Sequence, residues 1–187
     1  SRRGSAAAKS AETRLKWLDF ELADETGISS SSLADVDTVF HLAGLAHQPD
    51  KQSRNEYIKL NSQATGKLAA AAVKAGVKHF IYISSIKVNG DVSPATGFTE
   101  QDSPAPVDIY GESKLQAENL LIEACERSDM HYTIIRPPLV FGPGVKANFL
   151  QLMKLVQRGM PLPFSGINNQ RSLIFVENLC NALITCM

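Results

Sequence analysis

The sequence predicts an α/β fold built on a doubly wound parallel sheet, with helices on both faces. Three observations predict it. Short apolar, β-branched runs alternate with helical stretches of roughly ten residues or more, the order of right-handed βαβ units. Two of those runs, VDTVFHL (Val36 to Leu42) and HFIYI (His79 to Ile83), are almost continuously apolar, as strands of a parallel sheet covered on both faces are. The runs also stop on turn-forming or small residues, at Ala43-Gly44, Ser84-Ser85 and Pro137-Pro138.

Each element has its own signal. Residues 1–14 are polar and small and read as a surface helix or a frayed end, followed by a short strand, Leu15-Lys16-Trp17-Leu18, that ends at Asp19. The serines at 29–32 form a turn before Leu33, a helix start. Val36 to Leu42 reads as a buried strand. Asn55 to Ala75 reads as a helix, with alanines at 69–72 and a stop at Gly76. His79 to Ile83 is the next strand, and the Gly, Pro and Asp residues of 89–108 make a loop. Tyr110 to Arg127 is helical, and His131 to Arg136 (HYTIIR) is a strand ended by Pro137-Pro138. Phe149 to Arg158 is helical, Ser172 to Val176 a short strand, and Glu177 to Met187 the beginning of a helix. Ligands of such sheets bind at the carboxyl ends of the strands, so the residues to inspect are Asp19, Ala43-Gly44, Ser84-Ser85 and Pro137-Pro138.

Composition narrows the function classes. A chain of 187 residues with 44% hydrophobic residues can bury one sizeable core. Lys plus Arg and Asp plus Glu both number 19, so the formal net charge is zero and nothing electrostatic favours nucleic acid or an anionic membrane as partner. No apolar run reaches the roughly 18 residues of a membrane-crossing helix, and no apolar stretch follows Ser1-Arg2-Arg3-Gly4 as in a signal peptide. Cys125, Cys180 and Cys186 are few, odd in number and widely spaced. That usage fits a reduced cytoplasmic protein without a disulfide frame or a metal site.

The chemistry concentrates in Tyr110-Gly111-Glu112-Ser113-Lys114, which opens a helix. Residues four apart share a helix face, so Tyr110 and Lys114 stand together. A phenol with a pKa of about 10 is a poor base near neutrality, and a neighbouring ammonium favours the phenolate. Such a pair can take the proton of an alcohol while the carbon beneath it is oxidised. Tyr and Lys at this spacing also occur by chance, and context is what makes them informative. Ser84-Ser85 ends the apolar run HFIYI, with Ser85 twenty-five residues before Tyr110. A hydroxyl there can hydrogen-bond the reacting oxygen, or can simply cap a turn.

With these segments in order the sequence resembles the extended short-chain dehydrogenase/reductase family, in its NAD-dependent epimerase/dehydratase branch. Leu18-Asp19 resembles the family's adenine-contacting turn, and His41-Leu42-Ala43-Gly44-Leu45-Ala46 its H-x-A-A segment beside the cofactor. Asn61 falls where the family places a helix Asn, and Ser84 to Gly90 (SSIKVNG) resembles S-S-x-x-V-Y-G. Arg136 to Gly144 (RPPLVFGPG) resembles R-x-x-N-V-Y-G-P-G, and Arg171 to Leu179 (RSLIFVENL) the late R-x-F-x-x-V-x-D segment. The resemblance spans nearly the whole chain and implies a partial Rossmann-like dinucleotide-binding domain over 1–187, with substrate-binding segments beginning at about 137.

It also implies roles. Ser85, Tyr110 and Lys114 would be catalytic, with Lys114 also on the nicotinamide ribose. Asp19, Phe20, Leu42, Ala43, Gly44, Asn61, Ser84 and Pro137, together with Tyr110 and Lys114, would line an NAD or NADP site. Ser85, Lys87, Asn148 and Arg171 would meet the substrate, with Arg171 on its diphosphate as a bidentate donor. The implied reaction is 4-epimerisation of a nucleotide-diphosphate sugar through a 4-keto intermediate, as in a UDP-glucose 4-epimerase. Alternatives are a reductase of a 4-keto-6-deoxy nucleotide sugar, a steroid or flavonoid reductase, and a non-catalytic dinucleotide-binding protein. The resemblance further implies a homodimer through the helices that start near Asn55 and Tyr110.

Departures from the pattern matter as much. No G-x-x-G-x-x-G loop follows a strand, so the resemblance implies a chain that starts after the family's phosphate loop and stops before most of its substrate domain. Arg2 and Arg3 would then stand near the adenosine ribose, and basic residues there lean toward NADP. Ile86 and Lys87 occupy the positions where the family's 4,6-dehydratases carry Asp-Glu, which argues against dehydration. Asn89 replaces the tyrosine of V-Y-G, and Leu139 stands where many epimerases carry asparagine.

Overall fold

The computed structural model describes residues 18, 28–45, 53–145, 147–160 and 170–187. The expected strand at 15–18, and with it Asp19 and Phe20, lies outside them apart from Leu18. Three strands form one parallel sheet in the order β1 (Thr38–His41), β2 (His79–Ile83), β3 (His131–Ile135). Thr38 pairs with His79 and His79 with His131, so the carboxyl ends of all three lie level. β1 is shorter than the apolar run that predicts it. Its burial also alternates, with Val39 and His41 buried and Phe40 open, so one face of β1 is uncovered among the described residues.

The crossover from β1 to β2 is helical: α1 (Arg54–Tyr57), a π-helical segment (Ile58–Gln63) and α2 (Ala64–Ala75). A capping box starts it. The Ser53 hydroxyl accepts from the Glu56 amide at 3.3 Å, and the Glu56 carboxylate accepts from the Ser53 amide at 2.7 Å. Gly76, in the left-handed region at φ 77°, ends it as expected. The expected single helix is therefore interrupted. The π-helical segment takes up an extra residue per turn and rotates the chain about Asn61.

The crossover from β2 to β3 is α3 (Ile109–Glu126), capped by Asp108, whose carboxylate accepts from the Gly111 amide at 2.7 Å. α2 and α3 cover one face of the sheet. Phe80 and Tyr82 of β2 pack there with Leu68, Ala69, Ala72, Ala117 and Leu121, and the small alanines let the helices approach closely.

Ile81 points to the other face, against Leu179 and Leu183 of α5 (Val176–Thr185). β2 is therefore covered on both faces, as its unbroken apolar run predicts. A second parallel pair, β4 (Leu139–Phe141) with β5 (Leu173–Phe175), adjoins this layer, and α4 (Ala147–Gln157) lies between them in sequence. β4 is missing from the sequence reading because three residues before Gly142-Pro143-Gly144 carry no periodicity. Cys125 is buried, Cys180 exposed and Cys186 between, all as free thiols. Among the described residues no helix is long and apolar enough to cross a membrane.

Candidate active site

The carboxyl ends of β1, β2 and β3 meet the first turns of α3. β2 delivers Ser84 and Ser85, both buried. The strand ladder continues past them. The Ser84 amide donates to the Ile135 carbonyl at 2.8 Å and the Ile86 amide to the Pro137 carbonyl at 3.1 Å, so Pro137 sits beside the serines. Ser85 then caps a single 3₁₀ turn, Ile86–Val88, its hydroxyl accepting from the Lys87 amide at 3.3 Å. Tyr110, in the first turn of α3, lies near enough for this hydroxyl to lower its pKa. Ser85 thus caps a turn, as one reading of it expects.

Burial pushes the Tyr110 phenol above its ordinary pKa. The Ser85 hydroxyl pulls it down, and Asp108 and Tyr57 push it up again. The Tyr57 ring lies edge-on at 6.3 Å between centroids. The lowering by lysine that the sequence suggests is not among these influences. Lys114 turns elsewhere: its ammonium donates to the Ile83 carbonyl at 2.9 Å and lies 4.8 Å from the centroid of the Tyr82 ring. Burial lowers the Lys114 pKa to about 8, opposed by the Glu118 carboxylate one helical turn on.

Asn61 is buried and its amide is spent inside the protein. Its Oδ1 accepts from the Leu45 amide at 2.6 Å, and its Nδ2 donates to the Leu45 carbonyl at 3.3 Å and to the Ser113 hydroxyl at 3.0 Å. Its place is therefore under the turn after β1, clamping residues 43–45 to α3. The Asn61 side chain is thus held by protein partners on both its oxygen and its nitrogen. Leu42, Ala43 and Gly44 stand exposed above it.

His41, absent from the predicted site list, supports the same floor. The Thr65 hydroxyl donates its one proton to the Asn61 carbonyl at 2.6 Å, so His41 Nε2, 2.8 Å from that hydroxyl, must donate to it. The ring is neutral. Burial first, and then the Lys114 charge, lower its pKa to about 4. The sequence signals for it are a lone histidine in an apolar strand and its place at the head of the H-x-A-A-like segment.

The remaining predicted residues divide. Lys87 is ion-paired to Asp91 and, at 3.5 Å, to Asp108, so its charge is neutralised within the loop. The expected substrate contact would have to displace two carboxylates. Arg171 is exposed just before β5. Asn148 lies in the first turn of α4. Among the described residues no three His, Cys, Asp or Glu side chains stand together to hold a metal ion.

Two features fit a dinucleotide laid across these strand ends. The Ser84 hydroxyl is buried without a hydrogen-bond partner among the described residues. A Cβ at Gly44 would stand 2.9 Å from Asn61 Oδ1, so bare backbone is needed where the turn passes Asn61.

The family model described as the NAD dependent epimerase/dehydratase family matches residues 1–187. The chain belongs to that family. It is 41% identical to the UDP-glucose 4-epimerase of Vibrio cholerae over 97% of its own length and 58% of that protein's. Among solved structures, it is similar to MoeE5 in complex with UDP-glucuronic acid and NAD at 32% identity and a TM-score of 0.70, covering 83% of this chain and 53% of that one. It is also similar to the UDP-glucuronic acid 4-epimerase from Bacillus cereus in complex with NAD, at 25% identity and a TM-score of 0.72, over 90% and 52% of the two chains. The chain thus spans about half the length of the relatives it matches.

Proposed function

We propose that the protein interconverts the 4-epimers of a nucleotide-diphosphate hexose, with NAD held across the carboxyl ends of β1, β2 and β3. The observation that carries this is the cluster at the end of β2. Buried Ser85 at that strand end stands beside Tyr110 and lowers its pKa, and Lys114 stands one helical turn further along α3. The relatives support the substrate class and the cofactor: one is named a UDP-glucose 4-epimerase, and two solved neighbours contain NAD.

When bound, NAD would supply a reversible acceptor for the hydride at C4 of the sugar. Tyr110 removes the proton of the sugar 4-hydroxyl in one direction and returns it in the other. Ser85 donates a hydrogen bond to the same oxygen, which steadies it as it becomes a carbonyl. Lys114, mostly ammonium at neutral pH with a pKa of about 8, uses one of its three donors on Ile83. The others are available to a ribose. Pro137 and the unpartnered Ser84 hydroxyl border the nicotinamide. Arg171 takes the substrate diphosphate, Asn148 contributes to the same pocket, and the segments from about 137 onward form its wall. The turnover cycle leaves the cofactor unchanged.

Tyr110→Phe in the full-length protein tests this, assayed on UDP-glucose and UDP-N-acetylglucosamine. Loss of epimerisation with the fold intact is expected. Undiminished epimerisation would remove Tyr110 from the chemistry. The proposal extends to a cytoplasmic homodimer joined through α2 and α3, which sedimentation of the intact protein checks.

A further inference from the structure

Behind the reacting groups lies an ion pair that the mechanism so far does not use. Arg136, the residue between β3 and Pro137, donates bidentately to Glu118 of α3, from Nε at 3.0 Å and from Nη2 at 2.6 Å. Its third nitrogen, Nη1, donates to Asn89 Oδ1 at 3.1 Å. Asn89 directly follows the 3₁₀ turn capped by Ser85. One guanidinium therefore joins the segment carrying Ser85, the helix carrying Tyr110 and Lys114, and the strand end carrying Pro137. Glu118 has 2% of its side chain exposed, a position that carboxylates occupy only when paired.

We propose that Glu118, Arg136 and Asn89 form a positioning network for the reaction, in which Arg136 ties the turn after β2 to α3 and holds the Glu118 carboxylate on the helix face one turn from the Lys114 ammonium. This role presupposes the epimerase function proposed above. Tyr110, Lys114 and Glu118 follow each other at intervals of four along one face of α3. Among the described residues, three ionisable groups face Lys114. His41 on β1 is neutral, Tyr82 on β2 is held protonated by burial, and Glu118 is the anion whose charge supports the ammonium. Around Tyr110 stand Ser85, Tyr57 and Asp108, and Asp108 is itself paired with Lys87. Arg136 offsets the burial of Glu118 without contacting the lysine. It also fixes Asn89, which stands where the family pattern has a tyrosine.

The test is the pH dependence of kcat in the full-length holoenzyme. In Glu118→Gln the Lys114 ammonium is lost at lower pH, so activity falls more at pH 8 than at pH 6, by roughly fivefold if the lysine pKa drops by about one unit. Glu118→Asp, which keeps the charge, restores the native profile shape. A loss by the same factor at every pH would reduce the network to packing and overturn the proposal. If Glu118→Gln does not fold, because the half-buried Arg136 loses its carboxylate, the double change Glu118→Gln/Arg136→Met carries the same prediction. Carbon-13 NMR of Cε-labelled lysine, with Lys114 assigned by its loss in Lys114→Met, reads the network without turnover. Lys114 should titrate at lower pH in Glu118→Gln than in the native protein. An unchanged titration overturns the network even if the enzyme is an epimerase. A shifted titration in a protein that epimerises nothing leaves the network standing and sinks the proposed function instead.

Discussion

Gly111 separates two things that must nearly touch. It follows Tyr110 in the first turn of α3, and a Cβ built on it would lie 2.6 Å from the Lys87 carbonyl oxygen, 3.2 Å from the Lys87 carbonyl carbon and 3.0 Å from Pro106 Cβ. Comfortable carbon–oxygen contact begins at about 3.3 Å, so Gly111→Ala requires a shift of roughly 0.7 Å. The atoms that must move are backbone and a proline ring, with no rotamer to yield. Lys87 is two residues from Ser85, so the shift pulls the 3₁₀ turn and its serine away from Tyr110. Two effects compete. Alanine favours an interior helical site by about 0.5–1 kcal/mol. Overpacking costs about 1–3 kcal/mol. The clash should win, leaving a destabilisation of about 1–2 kcal/mol in urea denaturation. Misplacing reacting groups by about an ångström costs roughly 100-fold in rate, so the larger effect falls on kcat. Gly66→Ala is the control. There the nearest atom is Leu120 Cδ1 at 3.0 Å, the end of a half-exposed side chain that can rotate away. It should leave the rate unchanged and stability equal or higher. A Gly111→Ala protein as stable and as fast as the native one would refute the close-approach argument.

Other expectations concern charge and the buried floor. His41 holds a pKa of about 4 against 6.5 unfolded. Between those values the unfolded chain binds a proton that the native state refuses, so stability falls as pH drops. From pH 7.5 to pH 5 this one residue should cost about 2 kcal/mol, and denaturation curves at the two pH values should show His41→Gln losing less over that interval than the native protein. Lys114 is ammonium only below about pH 8, so kcat/KM should decline as pH rises through that value. Lys114→Met should lower kcat by about 100-fold or more; a loss under about threefold would contradict its role. Asn61→Ala leaves the Leu45 amide and carbonyl without their partner and should cost about 1–3 kcal/mol. It should also weaken NAD binding, measured by calorimetric titration.

What the sequence shows of this site follows from locality. Tyr110 and Lys114 lie on one long helix, so their spacing alone brings them onto one face. The HFIYI run and the two serines that end it place Ser85 at a strand's carboxyl end, where a parallel sheet puts its ligands. Other features depend on contacts between distant segments. Nothing local separates the π-helical turn at Ile58–Gln63 from an ordinary helix, because the reason for it is Asn61 reaching Leu45 and Ser113. Glu118 and Arg136 meet only once α3 packs beside β3. The charge relation is the clearest correction. Spacing puts Lys114 near Tyr110, but only coordinates show the ammonium turned to the Ile83 carbonyl and the phenol pushed up by burial.

The proposed epimerase is tested most directly by NMR of products from the full-length protein incubated with UDP-glucose and UDP-N-acetylglucosamine, with no cofactor added. Equilibration of gluco and galacto forms, abolished in Tyr110→Phe, is the predicted result. No interconversion of either sugar, with consumption of a 4-keto-6-deoxy nucleotide sugar only when NADH or NADPH is supplied, would contradict it and identify a reductase instead.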